Sequence, residues 1–374
     1  MRKWLFGDFI NKLMIVFVCL FMFSFMVINP ISLQKTAANM CSVEHAYGIP
    51  NFKEFVKTLF GKEKKKVDVE KQPTYVYLGG FPLGFTINCK GVVVVANSNR
   101  TAPEIKEGDV LTKIEGIEIN SAEEIYQIIN SQNFAGKVLN VTIVRGGEEI
   151  HTTICPIYDG FLKFYKLGLW IRDNAAGVGT VTYIRKDNLR FGALGHPVCD
   201  IDTGTELPVL NGNVYKCNIV GCKQGTKGNA GELKGLFLRN GSVYGTLDKN
   251  NKFGVYGTFS KKYIENFSNN LIEVAGREEV KSGKAKIFCT VEGCEPKEYE
   301  IEIVKTYFQQ TKDNKSMFIR VTDKELLAKT GGIVQGMSGS PIIQNGKLVG
   351  AVTHVFVSDP TKGYGVYADW MLDN

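Results

Sequence analysis

The sequence predicts a mainly β protein in which two folded domains follow an N-terminal apolar segment. The chain has 374 residues, enough for two domains of ordinary size. Short apolar runs separated by glycine and asparagine fill most of it, as is typical of antiparallel sheets with tight turns. The predicted parts are a signal or membrane anchor at 1–30, a linker at 31–72, a first domain at 73–158 and a second domain at 159–374.

The first element is an apolar run over residues 13–28. Arg2, Lys3 and Lys12 precede it, and basic residues on that side place the N-terminus in the cytoplasm and the rest of the chain across the membrane. The run is intermediate in length between a signal-peptide core and a full membrane span. We expect an uncleaved membrane anchor, with cleavage near residues 36–38 as the alternative.

The charge distribution argues against a nucleic-acid partner. The net charge of +7 comes from 45 Lys and Arg against 38 Asp and Glu. Much of the excess lies in one lysine-rich stretch of the linker, residues 62–71. Nucleic-acid binding requires basic residues clustered on one face of a folded domain. We therefore expect the lysine-rich stretch to be a solvated tether.

Two cysteine pairs share the same spacing, Cys217 with Cys222 and Cys289 with Cys294. Four thiolates could bind zinc, and each pair could also close a local disulfide. The total of nine cysteines is odd, and no zinc-knuckle sequence surrounds the pairs. The pattern therefore favours free thiols, and we predict neither a metal site nor a cofactor.

The first domain combines short strands with one helix. Ser121 and Glu124 form a capping box at the start of an amphipathic segment that continues to Ile129. The stretches 82–87 and 108–119 resemble the carboxylate-binding loop and the Gly-Asp-x-Leu segment of PDZ domains. The resemblance implies peptide binding through backbone N–H groups and an open strand edge, at Leu83, Gly84 and Phe85. The alternative is an α+β spacer that binds no free C-terminus.

A loop of small residues around Ser338 is the strongest chemical signal in the second domain. Gly336 to Pro341 precedes a hairpin that turns at Asn345 and Gly346. This pattern is typical of the nucleophile loop of chymotrypsin-like β-barrel serine peptidases, in which the N–H groups of Gly336 and Ser338 would form the oxyanion hole. An α/β-hydrolase elbow would need glycine at position 340 and a following helix. A simple tight turn is the structural alternative.

Two histidines are candidates for the general base. His196 lies in a bend well upstream of Ser338, where chymotrypsin-like enzymes carry their base. His354 follows the nucleophile by about one hairpin and is the alternative base, or else a wall of the specificity pocket. His45 falls in the linker and His151 in a strand of the first domain, which leaves His196 as the preferred candidate.

The acid that would orient the base is less clearly marked. Asp323 lies 15 residues before Ser338, but Thr322 to Glu325 also has the pattern of a helix-capping box. Asp200 and Asp202 follow His196 closely and are alternatives. The residues alone leave this choice open.

A further resemblance lies in four stretches, which are 166–180, 193–197, 331–343 and 351–357. Together they resemble the stage IV sporulation protein B family, which comprises PDZ-bearing serine peptidases. The resemblance implies that His196 is the base, Ser338 the nucleophile and Asp323 the acid. An acid so close to the nucleophile differs from ordinary chymotrypsin-like enzymes.

The same resemblance implies a function in sporulation signalling. Such an enzyme acts between the forespore and mother-cell membranes, where it cleaves itself and a membrane-associated regulator of an intramembrane protease. That protease then activates a late mother-cell sigma factor. The expected partners are the protein substrate, the enzyme's own N-terminal segment and the membrane, through residues 13–28. The alternative function is a catalytically inactive PDZ scaffold that binds protein C-termini.

Overall fold

The computed structural model describes residues 73–374 except for 101, 239–240, 267–269 and 374. The predicted anchor and linker, including the apolar run at 13–28, lie outside the described residues. From residue 72 onward the chain forms one compact unit. Within the described ranges, no helix combines the length and hydrophobicity needed to cross a bilayer.

Strands dominate the described part, so the prediction of a mainly β fold is confirmed. The α-helices of this described part are α1 (Ala122–Ile129), α2 (Lys324–Thr330) and α3 (Ala368–Leu372). The strands are β1 (Tyr75–Leu78), β2 (Pro82–Asn97), β3 (Val110–Ile114), β4 (Ile117–Glu118), β5 (Leu139–Arg145), β6 (Glu148–Ile154), β7 (Ile157–Asp159), β8 (Phe164–Lys166), β9 (Leu169–Arg185), β10 (Arg190–Ala193), β11 (Val209–Lys216), β12 (Asn218–Lys223), β13 (Glu232–Leu236), β14 (Val243–Asn251), β15 (Gly254–Phe259), β16 (Leu271–Val274), β17 (Gly283–Cys289), β18 (Lys297–Thr306), β19 (Met317–Val321), β20 (Pro341–Gln344), β21 (Lys347–Val355) and β22 (Lys362–Tyr367).

Two long strands, β2 and β9, organise the fold. They pair antiparallel from Pro82 opposite Thr180 to Asn97 opposite Leu169. The chain between them, residues 98–168, forms an insert that contains α1 and the strands β3 to β8. Its core includes Val92 and Val94 from the second half of β2, together with apolar residues of α1, β3 and β5. The predicted helix with its Ser121 cap is present, since the Ser121 side chain accepts the N–H of Glu124.

The second domain has two further buried cores. The first is formed mainly by β2, β9, β10, β11, β14 and β15. The second is formed largely by the strands from β17 to β22, with α3 packed against them. Both cores consist mainly of branched aliphatic and aromatic side chains on the inward faces of the strands, as expected for antiparallel sheets with one buried face.

The observed strand pairing differs from the predicted domain division in the assignment of the segment from residue 73 to about residue 90 to the first domain. Strand β1 pairs with β9 and β16, and the first half of β2 pairs with β9 and β11. The first strands of the described chain therefore belong to the sheets of the second domain. The reason is that pairing partners far along the chain, which no local pattern reveals, satisfy the backbone groups of these strands.

Candidate active site

The loop between α2 and β20 presents Ser338. Helix α2 ends at Thr330, and the following Gly331, with a φ of 73°, forms a left-handed C-cap. Gly336 and Gly339 also have positive φ angles, 96° and 94°. A Cβ atom at position 339 would lie 2.1 Å from the carbonyl oxygen of Thr180. Glycine is therefore required here by both backbone conformation and space.

Strand β9 holds this loop by hydrogen bonds from two buried threonines. The Thr180 hydroxyl donates to the Gly336 carbonyl at 2.8 Å, and the Thr180 N–H donates to the Ser338 carbonyl at 3.1 Å. The Thr182 hydroxyl donates to the Gly339 carbonyl at 2.7 Å. Sequence reasoning assigned no role to these threonines, because the contact joins segments more than 150 residues apart.

Replacing Thr180 by valine tests this support. Thr180→Val keeps the side-chain volume but leaves the half-buried Gly336 carbonyl without its donor, which costs about 1 kcal/mol. We expect the rate at which a fluorophosphonate labels Ser338 to fall by about 10-fold, because a displaced loop misplaces the nucleophile. Thr180→Ser retains the hydroxyl and serves as the control. Equal labelling of the valine and serine variants would show that the hydroxyl does not position the loop.

Ser338 and the two predicted oxyanion donors are available for chemistry. The Ser338 hydroxyl donates to the Thr353 carbonyl on β21 at 2.9 Å. Within the described part of the chain, the backbone N–H groups of Gly336 and Ser338 donate to no acceptor. Unpaired N–H groups beside a serine hydroxyl are the feature needed to stabilise a developing oxyanion.

His196 reaches the same site through a tight bend after β10. Leu194 and Gly195 have φ angles of 69° and 70°, so two consecutive residues are left-handed. A Cβ atom at Gly195 would lie 2.8 Å from the Thr353 methyl group, which shows how closely the bend approaches β21. This bend brings His196 beside the strand whose Thr353 carbonyl is bonded to Ser338.

The hydrogen bond of the His196 ring indicates its tautomer. Nδ1 lies 2.8 Å from the Pro197 carbonyl oxygen. Because that oxygen can only accept, Nδ1 carries the proton and Nε2 is left with its lone pair. Burial lowers the pKa of His196 below its usual 6.5, although the bond to the Pro197 carbonyl acts in the opposite direction. His196 is therefore neutral at pH 7 and has the form required of a general base.

The lowered pKa predicts the pH dependence of the active site. The base must be unprotonated, so the labelling rate of Ser338 rises as pH rises through the pKa of His196. We expect the midpoint below pH 6.5, because burial disfavours the charged ring. A pH series of fluorophosphonate labelling, with circular dichroism recorded at each pH, measures it. A midpoint above pH 7 in folded protein would contradict the assignment of His196 in this environment.

His354 packs against His196. The two ring centroids are 5.3 Å apart, with an angle of 42° between the ring planes. Its Nδ1 is buried and has no hydrogen-bond partner among the described residues. Burial, followed by the nearby His196 and Lys315, lowers the pKa of His354 to about 4. The structure thus brings Ser338, His196 and His354 together, with His354 as a neutral neighbour of the preferred base.

Asp323 has other partners. One carboxylate oxygen accepts the Leu326 N–H at 2.9 Å and caps α2, and the other accepts the Glu300 N–H at 3.2 Å. No hydrogen bond joins it to His196 among the described residues. Asp323 as the triad acid stays a prediction from family resemblance, while the geometry supports the capping role that its sequence context also indicated.

Two substitutions separate these roles of Asp323. Asp323→Ala removes the cap and is expected to lower the free energy of unfolding by about 1 kcal/mol, whereas asparagine also caps well and should retain most of it. Chemical denaturation measures the difference, and an equal loss for both variants would contradict the capping role. The rate at which a fluorophosphonate labels Ser338 then tests the triad role. A large loss of this rate in Asp323→Asn would show that catalysis requires the negative charge of Asp323.

The alternative acids Asp200 and Asp202 pair with Arg172 instead of His196. Asp200 is buried, forms an ion pair with Arg172 and accepts the Thr203 N–H at 2.9 Å. Asp202 lies 2.8 Å from the other guanidinium nitrogen. Both carboxylates therefore stabilise the turn that follows His196, and neither hydrogen-bonds to the histidine.

The structure corrects the predicted peptide-binding residues Leu83, Gly84 and Phe85. They lie inside β2, where β9 pairs along one edge and β11 along the other. All three are buried. Because both edges of the strand are already paired, no open edge remains there for a peptide. These residues belong to a sheet of the second domain, and the geometry gives no support to a scaffold that binds C-termini through them.

The paired cysteines are free thiols in the structure. Burial raises the pKa of Cys217 to about 11 and that of Cys289 to about 12, so both are protonated at neutral pH. The Cys294 thiol lies 3.5 Å from the Cys217 carbonyl oxygen. Across the described ranges, no group of three or more His, Cys, Asp or Glu side chains could hold a metal ion.

No curated protein matches the chain. The active form of the Rv3671c protease from M. tuberculosis is 15% identical with a TM-score of 0.30, covering 53% of this chain and 72% of that one. The HtrA-type protease AlgW with a decapeptide is 10% identical with a TM-score of 0.33, covering 79% of this chain and 63% of that one. A PDZ domain of an SdrC-like protein from Listeria monocytogenes is 21% identical with a TM-score of 0.21, and the match covers 22% of this chain and 90% of that one.

The family comparison covers the catalytic region. The model of the family described as SpoIVB peptidase S55 matches residues 163–372, which is more than half of the 374 residues. The matched range contains Ser338, His196 and the threonines that support the nucleophile loop. The chain is therefore a serine peptidase and belongs to the SpoIVB peptidase S55 family.

Proposed function

We propose that this chain is a membrane-tethered serine endopeptidase of sporulation signalling. It cleaves itself and a membrane-associated regulator of an intramembrane protease, and this leads to activation of a late mother-cell sigma factor. Membership of the SpoIVB peptidase family supports the pathway. The predicted anchor at residues 13–28 supports a location in the space between the forespore and mother-cell membranes, where it would raise the local concentration of membrane-bound substrates.

The catalytic part is supported by two observations: the His196 ring keeps a free lone pair on Nε2, and the N–H groups of Gly336 and Ser338 are unpaired within the described part of the chain. His196 Nε2 accepts the proton of Ser338 as the serine oxygen attacks the scissile carbonyl, while the Pro197 carbonyl keeps the proton on Nδ1. The free N–H groups of Gly336 and Ser338 stabilise the negative charge on the substrate oxygen. The protonated His196 then protonates the leaving amine, and water hydrolyses the acyl-enzyme by the same steps.

The free enzyme holds Ser338 in a resting position. Its hydroxyl donates to the Thr353 carbonyl, and no hydrogen bond between Ser338 and His196 is present among the described residues. The hydroxyl must therefore leave Thr353 to reach its base. A substrate N–H that donates to the Thr353 carbonyl would compete with this bond, so substrate binding itself would favour the reactive position.

The linker at 31–72 is the proposed site of self-cleavage. Its lysine-rich composition suits a solvated, accessible chain, which is the usual substrate of proteases. The same segment is the proposed intramolecular partner of the folded part before cleavage. Cleavage in the linker would release the folded region that follows it from the anchor.

The test uses the full chain reconstituted in lipid vesicles. Wild type, Ser338→Ala and His196→Ala are incubated and followed by gel and mass spectrometry. We expect wild type to be cut within residues 31–72 while both variants stay intact and folded. An intact wild-type chain after prolonged incubation, in a preparation whose Ser338 is labelled by fluorophosphonate, would refute self-cleavage but not the peptidase chemistry.

A further inference from the structure

The hairpin of β7 and β8 exposes an apolar tip. The two strands form a separate two-stranded sheet. Its turn, residues 160–163, carries Phe161, which is 92% exposed, and Leu162, which is 53% exposed. Full burial of such a side chain would stabilise the protein by about 1.5–3 kcal/mol, and exposure to water gives up this stabilisation. The fold therefore covers Phe161 hardly at all and Leu162 only in part.

This tip is well ordered by its own hydrogen bonds. The Asp159 carboxylate accepts the N–H groups of Phe161 and Leu162, each at 3.1 Å, and also pairs with Lys166 at 2.8 Å. At the other end of the hairpin, the Asn130 side chain accepts the Tyr165 N–H at 2.7 Å and donates to the Tyr165 carbonyl at 3.0 Å. The apolar side chains are therefore presented outward by a braced turn.

The size and charge of the tip favour a lipid surface over a protein partner. Stable protein interfaces bury about 1,200–2,000 Å², far more than two side chains on a convex turn can supply. Lys163, next to Leu162, forms no ion pair within the described part of the chain, and Tyr158 on β7 is half-exposed. Aromatic and aliphatic residues beside a free lysine are the composition that binds the interface of an anionic bilayer.

We propose that the β7–β8 hairpin inserts Phe161 and Leu162 into the interface of an anionic lipid bilayer, with Lys163 at the headgroups. Two apolar side chains alone bind a bilayer weakly. The predicted anchor at 13–28 would keep the hairpin near the surface, so that a weak contact is sufficient. Such a contact would orient the peptidase on the membrane, which tethering by a linker alone does not.

The experiment places a fluorescent reporter at the tip of the full chain. Phe161→Trp is reconstituted in vesicles of phosphatidylcholine and anionic phosphatidylglycerol, with or without bromine on the acyl chains. Ile201→Trp is the matched control, since Ile201 is 87% exposed on a turn of the second domain. The wild-type signal from Trp4, Trp170 and Trp370 is subtracted. We expect bromine to quench the added tip fluorescence by about 2-fold, and the control much less, because interfacial residues lie within reach of the acyl chains.

The remaining outcomes are also decisive. Equal quenching at the tip and the control, or none at either, would overturn the proposal. Lys163→Glu in the Phe161→Trp background should reduce quenching on anionic vesicles and leave neutral vesicles unchanged. The readout needs no peptidase activity, so it is independent of the proposed signalling function.

Discussion

Ser338→Ala is expected to lower peptidase turnover by about 10⁴–10⁶-fold without changing the fold. We assign the Ser338 hydroxyl as the nucleophile. Its only hydrogen bond among the described residues is to the Thr353 carbonyl, which gives it no structural role large enough to affect stability strongly. Self-cleavage of the reconstituted chain measures turnover, and thermal unfolding by circular dichroism measures the fold.

Ser340→Ala is the matched control for this substitution. Ser340 lies two residues away and is buried, and its hydroxyl donates to the Met337 carbonyl at 2.6 Å. Its loss should reduce stability and turnover only modestly. The double variant Ser338→Ala/His196→Ala should be no less active than Ser338→Ala alone, because the two residues act as one unit. Turnover in folded Ser338→Ala close to the wild-type value would exclude it as the nucleophile.

Gly339→Ala is expected to have the second largest effect, a loss of more than about 3 kcal/mol of stability together with most of the activity. The added Cβ would lie 2.1 Å from the Thr180 oxygen and 2.5 Å from the Leu194 nitrogen, and the backbone φ of 94° is unfavourable for alanine. Both contacts are to backbone atoms, so the loop has to move away from β9, and Ser338 moves with it.

Gly346→Ala separates the clash from the backbone strain. Gly346 also has a positive φ, 75°, but its added Cβ would have no atom within 4 Å. Its loss of stability should therefore be about 1 kcal/mol, with activity retained. Chemical denaturation and fluorophosphonate labelling of both variants provide the comparison. Equal destabilisation of the two variants would mean that close packing against β9 is not what holds the nucleophile loop.

The nucleophile loop could be predicted from the sequence because its signals are local. Small residues around Ser338, a proline at 341 and the Asn345-Gly346 turn all lie within ten residues, and the structure has a β-hairpin formed by β20 and β21 at that position. His196 was found by its chain position, and the bend at Leu194 and Gly195 explains how it reaches the site. Thr180 and Thr182 could not be found in this way, since their partners lie in a distant segment.

The segment 82–87 shows where local resemblance fails. Its residues match the pattern of a peptide-binding loop, but β9 and β11 lie far along the chain and pair with both of its edges. Which edge of a strand stays open depends on the register of such distant pairings, and no spacing within the segment encodes it. Asp323 is a different case from this segment, because its capping box could be recognised in the sequence. Only the choice between helix cap and triad acid stayed open.

Strands β2 and β9 also limit how this enzyme can be divided. One end of the pair contributes to the core of the insert, and the other end lies in the core beside the nucleophile loop. A gene fusion or truncation made at residue 158 would divide both cores, and it would separate β9 from its partner β2. The insert therefore cannot be exchanged between proteins by cutting at that point, and recombination that preserves the peptidase must keep residues 82–97 with 169–185.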